Sequence, residues 1–280
     1  FRRVLFRSIP ALLTGNAVLY KPSEYASCTG TLISQLLHDA GVPQELFVLI
    51  IGGGKVGEEL LKLPLDGVFF TGSYATGKKI NEQVASKLTK VQLELGGKDP
   101  VYVCEDVDIK MAASGLADGA FYNNGQSCCA VERIYVHQAI YDSFVESFVS
   151  EVKNFVIGDP LSEKTYIGPL TRSAQIEILE NQIKDALARG AKVLTGGKKI
   201  NRAGSYFEPT VLTQVNHEML LMKEESFGPI IGIQKVSGDE EAIKLMNDTE
   251  YGLTAGVYTQ DEKRAESILK QVNSGTVYWN

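Results

Sequence analysis

Two adjacent cysteines, Cys128 and Cys129, follow a Gly-Gln-Ser bend in the middle of the chain. A helical pattern precedes this bend and a strand-like pattern follows it, so the bend can expose a thiol and direct backbone N–H groups toward whatever the thiol attacks. A cysteine is a useful nucleophile only as the thiolate, which needs a nearby base or surroundings that lower the pKa of the thiol. Cysteine is more often a small buried packing residue. The catalytic interpretation therefore needs support from a second motif.

That support comes from the stretch Leu93-Glu94-Leu95-Gly96-Gly97-Lys98, which ends an alternating pattern typical of a strand. The carboxylate of Glu94 lies between two leucines and before two glycines. This setting predicts a partly desolvated carboxylate, which suits a general base. A lone glutamate at the end of a strand is usually a surface residue, but the cysteine motif downstream favours a catalytic role.

The two motifs together resemble the signature pair of the aldehyde dehydrogenase superfamily, Glu-Leu-Gly-Gly-Lys followed by Gly-Gln-x-Cys. The resemblance runs from about Ile9 to Asn280. It implies NAD(P)⁺-dependent oxidation of an aldehyde to a carboxylate, with Cys128 as the nucleophile, through a hemithioacetal and then a thioester. Glu94 would activate the water that hydrolyses the thioester, and Cys129 would be a neighbour only. Backbone N–H groups around Cys128 would stabilise the oxyanion, but the family's upstream Asn, which supplies the other donor, is missing here.

The resemblance also implies a dinucleotide site. Its six candidate residues are Lys21, Glu24, Gly72, Ser73, Glu225 and Phe227. Lys21 and Glu24 would hold the adenosine ribose, and the turn at Gly72 would bring a helix N-terminus to the pyrophosphate. Glu225 and Phe227 would hold the nicotinamide ribose and flank the ring. We expect NAD⁺ to be preferred, because the charge of Glu24 would repel a 2′-phosphate, while Lys21 leaves some use of NADP⁺ open.

Two other glycine motifs are less informative. The stretch from Gly52 to Gly57 reads Gly-x-Gly-x-x-Gly, but no acidic residue follows about 20 positions later, as the ordinary dinucleotide fingerprint requires. The stretch from Gly72 to Lys79 is one residue away from a P-loop, and the Ser or Thr that would bind Mg²⁺ after Lys78 is absent. A nucleotide hydrolase is therefore disfavoured.

Composition narrows the class of protein further. The chain has 280 residues and a net charge of −6, so it has no basic stripe for a nucleic-acid partner. Its four cysteines do not suggest a disulfide framework and favour a reducing, cytoplasmic location. The three histidines lack metal-ligand spacing, and no apolar run approaches the roughly 20 residues that span a bilayer. We therefore expect no metal and no membrane association.

The predicted fold class is α/β, aldehyde dehydrogenase-like, with two Rossmann-like three-layer domains and mainly parallel sheets. We predict a non-native remnant over residues 1–8, although a short transit peptide is an alternative. Residues 9–97 would form the nucleotide-binding domain and residues 98–280 the catalytic domain. The family's terminal segments and oligomerisation arm are missing, so we expect a fragment that is poorly soluble and inactive alone. The full-length parent would be a homodimer or homotetramer.

Two alternative functions remain open. A CoA-acylating aldehyde dehydrogenase would pass the thioester to CoA, but a glutamate at position 94 argues for water. A non-catalytic binding relative would keep the fold alone, but the presence of both Cys128 and Glu94 argues against it. The aldehyde itself is not assigned, and succinate semialdehyde, betaine aldehyde and long-chain or aromatic aldehydes are all compatible with the sequence.

Overall fold

The structure is a computed structural model that describes the backbone of residues 2–280 and the side chains of residues 7–280. The chain divides into two compact units between Leu95 and Gly96. The α/β class with mainly parallel sheets is confirmed. Among the paired strands of the described residues, only Lys192–Thr195 and Thr210–Thr213 run antiparallel to each other. The assignment of a function to each domain remains a prediction.

The described residues of the first unit form four α-helices and four short strands. They are α1 (Arg2–Leu13), β1 (Val18–Tyr20), α2 (Ser27–Asp39), β2 (Phe47–Leu49), α3 (Gly54–Leu60), β3 (Gly67–Thr71), α4 (Tyr74–Val84) and β4 (Lys90–Glu94). The strands form two parallel pairs, β1 with β2 and β3 with β4. Pro22 follows β1 closely, and because proline lacks an N–H it cannot extend the ladder. The register pairs Thr71 with Glu94, so both strands of the second pair end together.

The second unit alternates strands and helices around one sheet. Its elements are β5 (Asp99–Val103), α5 (Ile109–Phe121), β6 (Val131–His137), α6 (Tyr141–Lys153), α7 (Ala174–Ala188), β7 (Lys192–Thr195), β8 (Thr210–Thr213), α8 (Leu220–Lys223), β9 (Ile230–Val236), α9 (Asp239–Asn247), β10 (Thr254–Tyr258), α10 (Glu262–Leu269) and β11 (Thr276–Trp279). The seven strands lie in the order β11-β10-β5-β6-β9-β8-β7. Parallel neighbours require helical crossovers, which is why helices separate most of these strands in the sequence.

The central strand β6 shows how both faces of this sheet are covered. Ile134 and Val136 belong to a hydrophobic cluster with residues of α5 and α6, including the buried Phe148. Tyr135 points to the opposite face and joins a second cluster, which contains Leu179 of α7 and residues of α9 and α10. Successive side chains of a strand alternate between faces. The second unit therefore has three layers, with the sheet in the middle.

The ends of several elements of this unit have clear local causes. Asp108 and Asp261 are the N-caps of α5 and α10, and each carboxylate accepts hydrogen bonds from two backbone N–H groups of the first turn. β8 begins only at Thr210, although apolar residues precede it. Pro209 cannot donate to a ladder, and Phe207 forms an isolated bridge instead.

β11 lies at one edge of the seven-stranded sheet, paired only with β10. All four of its residues are exposed. Trp279 is nevertheless oriented, because its indole N–H donates a hydrogen bond to the carbonyl of Thr259 over 2.8 Å. Within the described part of the chain, no helix is both long and apolar enough to cross a membrane.

Candidate active site

The loop that carries the cysteines begins with an unusual backbone turn. After α5 ends at Phe121, Asn123, Asn124 and Gly125 adopt positive φ angles of 49°, 58° and 68°. Asparagine tolerates this left-handed region better than most residues, and glycine adopts it freely. A side chain at Gly125 would also collide with the carbonyl oxygen of Gly228. The Asn-Asn-Gly sequence therefore permits the tight reversal that leads into the cysteines.

Hydrogen bonds to a neighbouring segment fix this loop. The side-chain amide of Asn124 donates to the carbonyl of Gly168 over 2.8 Å. The side-chain carbonyl of Gln126 accepts from the backbone N–H of Thr171 over 2.9 Å. Gln126 thus anchors the residues immediately before Cys128, which gives the Gly-Gln-x-Cys motif a local structural reason.

The two thiols have different surroundings. Cys128 is half-buried and Cys129 is exposed. The sulfur of Cys129 lies 3.4 Å from Ser127 Oγ and 3.6 Å from the hydroxyl of Tyr122. Burial alone would raise the pKa of the Cys129 thiol, but hydrogen bonds with Ser127 and Tyr122 outweigh it and hold that pKa below its ordinary value. The sequence did not indicate this support for the second thiol, and Cys128 as the nucleophile remains a prediction.

Glu94 is the last residue of β4, and its carbonyl oxygen accepts a hydrogen bond from the backbone N–H of Gly72 over 3.1 Å. Its side chain is 45% exposed, so the carboxylate is less desolvated than its apolar neighbours suggested. One carboxylate oxygen lies 3.8 Å from Nη2 of Arg7. Arg7 falls within the predicted remnant, and it also donates to Thr71 Oγ1 over 2.6 Å.

The glycines after Glu94 allow two close approaches. A side chain at Gly97 would lie 2.7 Å from the carbonyl oxygen of Cys128. A side chain at Gly96 would collide with the carboxylate of Glu225. Real Cβ atoms do not approach other atoms so closely. The end of the Glu-Leu-Gly-Gly-Lys motif therefore packs against the backbone of the cysteine loop and against Glu225.

Glu225 and Phe227 lie in the loop between α8 and β9. The backbone N–H of Gly97 donates to Glu225 Oε1 over 3.3 Å. Burial, reinforced by the carboxylate of Glu132, raises the pKa of Glu225 to about 7. Phe227 has a positive φ of 45°, which a bulky residue adopts only where its surroundings impose it. The structure thus brings the Cys128 loop, Gly97 and this loop together within the second unit.

The four other cofactor candidates lie in the first unit. The ammonium of Lys21 donates to the carbonyls of Gly52 and Pro22 over 2.8 and 3.0 Å. Glu24 is exposed and begins a short 3₁₀ turn, Glu24–Ala26. Both residues follow the end of β1.

Gly72 and Ser73 join β3 to α4. Ser73 is the N-cap of this 11-residue helix, and its hydroxyl accepts from the backbone N–H of Thr76 over 3.3 Å. The N-terminus of a helix carries partial positive charge and unsatisfied N–H groups, which suit a phosphate. A side chain at Gly72 would be hindered by the ring of Phe70, so a glycine is needed in this turn. These features fit a dinucleotide.

Sequence reasoning missed several buried polar residues beneath the site. Lys98 is fully buried, and its ammonium lies 2.6 Å from a carboxylate oxygen of Glu132. Ser226, between the two cofactor candidates of the second unit, is also fully buried. The sequence contains one indication of this buried network, which is the pair Glu132-Arg133 within a largely apolar strand. Charged residues are rarely buried unless they are paired, so two of them in such a strand predict buried partners. No group of three metal-ligating side chains occurs among the residues whose side chains are described.

Comparisons with known proteins agree with these motifs. The model of the aldehyde dehydrogenase family matches residues 3–280. The chain is 39% identical to the peroxisomal aminoaldehyde dehydrogenase 1 of Pisum sativum over 284 residues, which cover all of this chain and 56% of that protein. The solved structure of lactaldehyde dehydrogenase from Escherichia coli is 37% identical, with a TM-score of 0.96, over 99% of this chain and 59% of that one.

A second solved structure bears on the cofactor. Betaine aldehyde dehydrogenase from Staphylococcus aureus, in complex with NAD⁺, is 34% identical and has a TM-score of 0.94. The match covers 98% of this chain and 55% of that one. The chain thus spans little more than half the length of these relatives.

Proposed function

The chain belongs to the aldehyde dehydrogenase family, and on that premise we propose that its protein oxidises an aldehyde to a carboxylate with NAD(P)⁺. The observation that carries the proposal is the close approach of Gly97 to the carbonyl of Cys128. This contact joins the end of the Glu-Leu-Gly-Gly-Lys motif to the end of the Gly-Gln-x-Cys motif. A side chain at position 97 would collide with the carbonyl of Cys128 and with the carboxylate of Asp99, so a glycine is needed where the two motifs meet.

In the proposed reaction, the thiolate of Cys128 adds to the aldehyde carbonyl, and backbone N–H groups around it stabilise the oxyanion of the hemithioacetal. NAD(P)⁺, when bound, supplies the acceptor for the hydride that the hemithioacetal carbon loses, which leaves a thioester on Cys128. Glu94 removes a proton from water, and the water attacks the thioester to release the carboxylate and the thiol. The 45% exposure of the Glu94 side chain supports this role, because solvent reaches the carboxylate.

Six residues of this chain would hold the cofactor. Lys21 and Glu24 would bind the adenosine ribose, and the turn of Gly72 and Ser73 would receive the pyrophosphate. Glu225 and Phe227 would bind the nicotinamide ribose and flank the ring. The N-terminus of α4 supports the second assignment. The position of Glu225 supports the third, because its partly buried carboxylate accepts from the N–H of Gly97 and has further acceptor positions for ribose hydroxyls.

The substrate we propose is a small-molecule aldehyde. The names of the relatives point to an aminoaldehyde, lactaldehyde and betaine aldehyde, which differ in charge, so they define the class and no single compound. We also propose that the full-length protein forms a homodimer or homotetramer and works in the reducing environment of the cytoplasm.

The test uses a full-length protein that contains this chain. NADH formation is followed with NAD⁺ and a panel of aldehydes, with and without CoA. Turnover without CoA is the expected result. Turnover that requires CoA would replace hydrolysis by acyl transfer, and cofactor binding without any turnover would indicate a non-catalytic relative.

A further inference from the structure

A buried ion pair lies beneath the loop that carries Glu225 and Phe227. The side chain of Lys98 is 0% exposed and that of Glu132 is 5% exposed, with 2.6 Å between Nζ and Oε2. Removing two charges from water costs about as much as their attraction returns, so a buried pair is weak evidence for stability. The role of this pair therefore depends on the groups that form hydrogen bonds with it.

The carboxylate of Glu132 holds two consecutive backbone amides. Its Oε2 accepts from the N–H of Ser226 and its Oε1 accepts from the N–H of Phe227, each over 3.0 Å. Each carboxylate oxygen thus has its own N–H donor. This fork spans the residue at which the backbone turns into the left-handed region, because Phe227 has a φ of 45°. Such a conformation persists only where the surroundings determine it.

The side chain of Ser226 is held just as completely. Its hydroxyl oxygen accepts from the ammonium of Lys98 over 3.0 Å, and its O–H donates to Gln182 Oε1 over 2.8 Å. Its carbonyl accepts from the side-chain amide of Gln175 over 2.6 Å. Gln182 and Gln175 belong to α7 and Lys98 precedes β5. Hydrogen bonds from α7 and from Lys98 therefore fix Ser226. They also restrict its neighbours Glu225 and Phe227.

We propose that Glu132 is a positioning residue for the nicotinamide end of the cofactor, acting through the backbone amides of Ser226 and Phe227. The inference rests on the proposed function, in which Glu225 and Phe227 contact that end of NAD(P)⁺. The side chain at position 132 must supply two acceptor oxygens for the two backbone amides and a negative charge that pairs with Lys98. Glutamine supplies one acceptor oxygen, and its other terminal group is a donor that faces a second N–H. Aspartate keeps the charge, but it is shorter by one methylene and would not reach both amides.

The first test measures the loop without the cofactor. In the full-length protein, amide hydrogen exchange is compared between wild type and Glu132→Gln, in peptides that cover residues 224–228. Exchange in the variant should be about tenfold faster or more, because a lost hydrogen bond raises local opening by that order. Glu180→Gln, at an exposed carboxylate of α7, is the matched control and should exchange as wild type does. Unchanged exchange in Glu132→Gln would overturn the proposal whatever the enzyme does.

The second test separates KM from kcat. In Glu132→Gln, KM for NAD⁺ should rise about tenfold or more, while KM for the aldehyde and the rate at saturating NAD⁺ should change by no more than about threefold. A general loss of folding would instead lower the rate and the active fraction together. Equal losses at saturating and limiting NAD⁺ would contradict a positioning role.

A double variant covers the case in which an unpaired buried Lys98 unfolds the protein. Lys98→Met with Glu132→Gln removes that charge and should restore folding while KM for NAD⁺ stays high. Recovery of the wild-type KM would overturn the proposal. If wild type itself forms no NADH, or if Glu225→Gln leaves KM for NAD⁺ unchanged, the proposed function fails, while the exchange experiment still decides whether Glu132 holds the loop.

Discussion

Asp99 and Thr254 tie the adjacent strands β5 and β10 together through one side chain. The buried carboxylate of Asp99 accepts from both the backbone N–H of Thr254, over 3.2 Å, and its hydroxyl. Burial nevertheless outweighs these two bonds and raises the pKa of Asp99 to about 7. The carboxyl group therefore takes up a proton in the folded chain at a pH where the unfolded chain has already lost it.

The sign of the resulting pH dependence follows from this difference. Between a pH of about 4 and a pH of about 7, the folded state binds a proton at Asp99 and the unfolded state does not. The free energy of unfolding should thus fall as the pH rises through this window, by at most about 1.4 kcal/mol per pH unit from this group. Asp99→Asn still accepts a hydrogen bond from Thr254 and does not titrate, so it should flatten the decline.

Urea unfolding from pH 5 to pH 8 checks this expectation, with Asp142→Asn as the control because that carboxylate is 92% exposed. Glu225 also titrates near pH 7, and the charge of Asp99 contributes to its raised pKa, so both proteins are compared in a Glu225→Gln background, where the difference in slope is assigned to Asp99. Parallel pH profiles for wild type and Asp99→Asn would show that Asp99 is ionised throughout.

The two cysteines offer a matched pair of variants. Cys128→Ala should abolish NADH formation while NAD⁺ still binds, because no nucleophile remains. Cys129→Ala should keep at least about a tenth of the activity, a loss of no more than about 1.4 kcal/mol in activation free energy. Tyr122 and Ser127 form hydrogen bonds with the thiol of Cys129 and lower its pKa, so Cys129 is the competing nucleophile that this comparison tests. Near-total loss in Cys129→Ala with activity retained in Cys128→Ala would move the nucleophile to the second thiol.

Glu94→Gln separates the two halves of the proposed reaction. Acylation precedes the step assigned to Glu94, so the variant should release a burst of about one NADH per active site and then stall. Rapid-mixing absorbance measures the burst. Lys90→Gln, at an exposed residue at the other end of β4, is the control and should turn over as wild type does. A variant without a burst would assign Glu94 to an earlier step, and normal turnover would remove it from the mechanism.

Glu24 should determine the choice between NAD⁺ and NADP⁺. Its carboxylate would accept hydrogen bonds from the ribose hydroxyls and repel a 2′-phosphate, so kcat/KM should be higher for NAD⁺. Glu24→Gln should reduce that preference about tenfold, and Glu45→Gln, another exposed glutamate of the first unit, should not. A wild-type protein with the higher kcat/KM for NADP⁺ would refute the assignment.

Local patterns in the sequence predicted much of the second unit. Phe144, Phe148 and Val152 recur at helical spacing, and all three lie buried on one side of α6. In the first unit, the strand pattern that leads into the Glu-Leu-Gly-Gly-Lys motif is β4. Periodicity of this kind reports which face an element buries, and that information is contained within about a dozen residues.

What could not be predicted depends on partners far apart in the chain. Lys98 and Glu132 are separated by 34 residues, and Lys98 and Ser226 by 128. Only the strand order brings them together, and no local pattern encodes it. The exposure of Glu94 and its ion pair with Arg7 likewise depend on the packing of α1, which the motif Glu-Leu-Gly-Gly-Lys does not describe.

The edge position of Trp279 has a spectroscopic consequence. It is the single tryptophan of the chain, it is 41% exposed, and its indole N–H is held by Thr259. Tryptophan emission therefore reports on the end of one sheet in the second unit and is silent about the first unit. Circular dichroism sees the helices of both. A difference between the two unfolding curves would show, without any label or mutation, that this edge of the sheet unfolds separately from the helices as a whole.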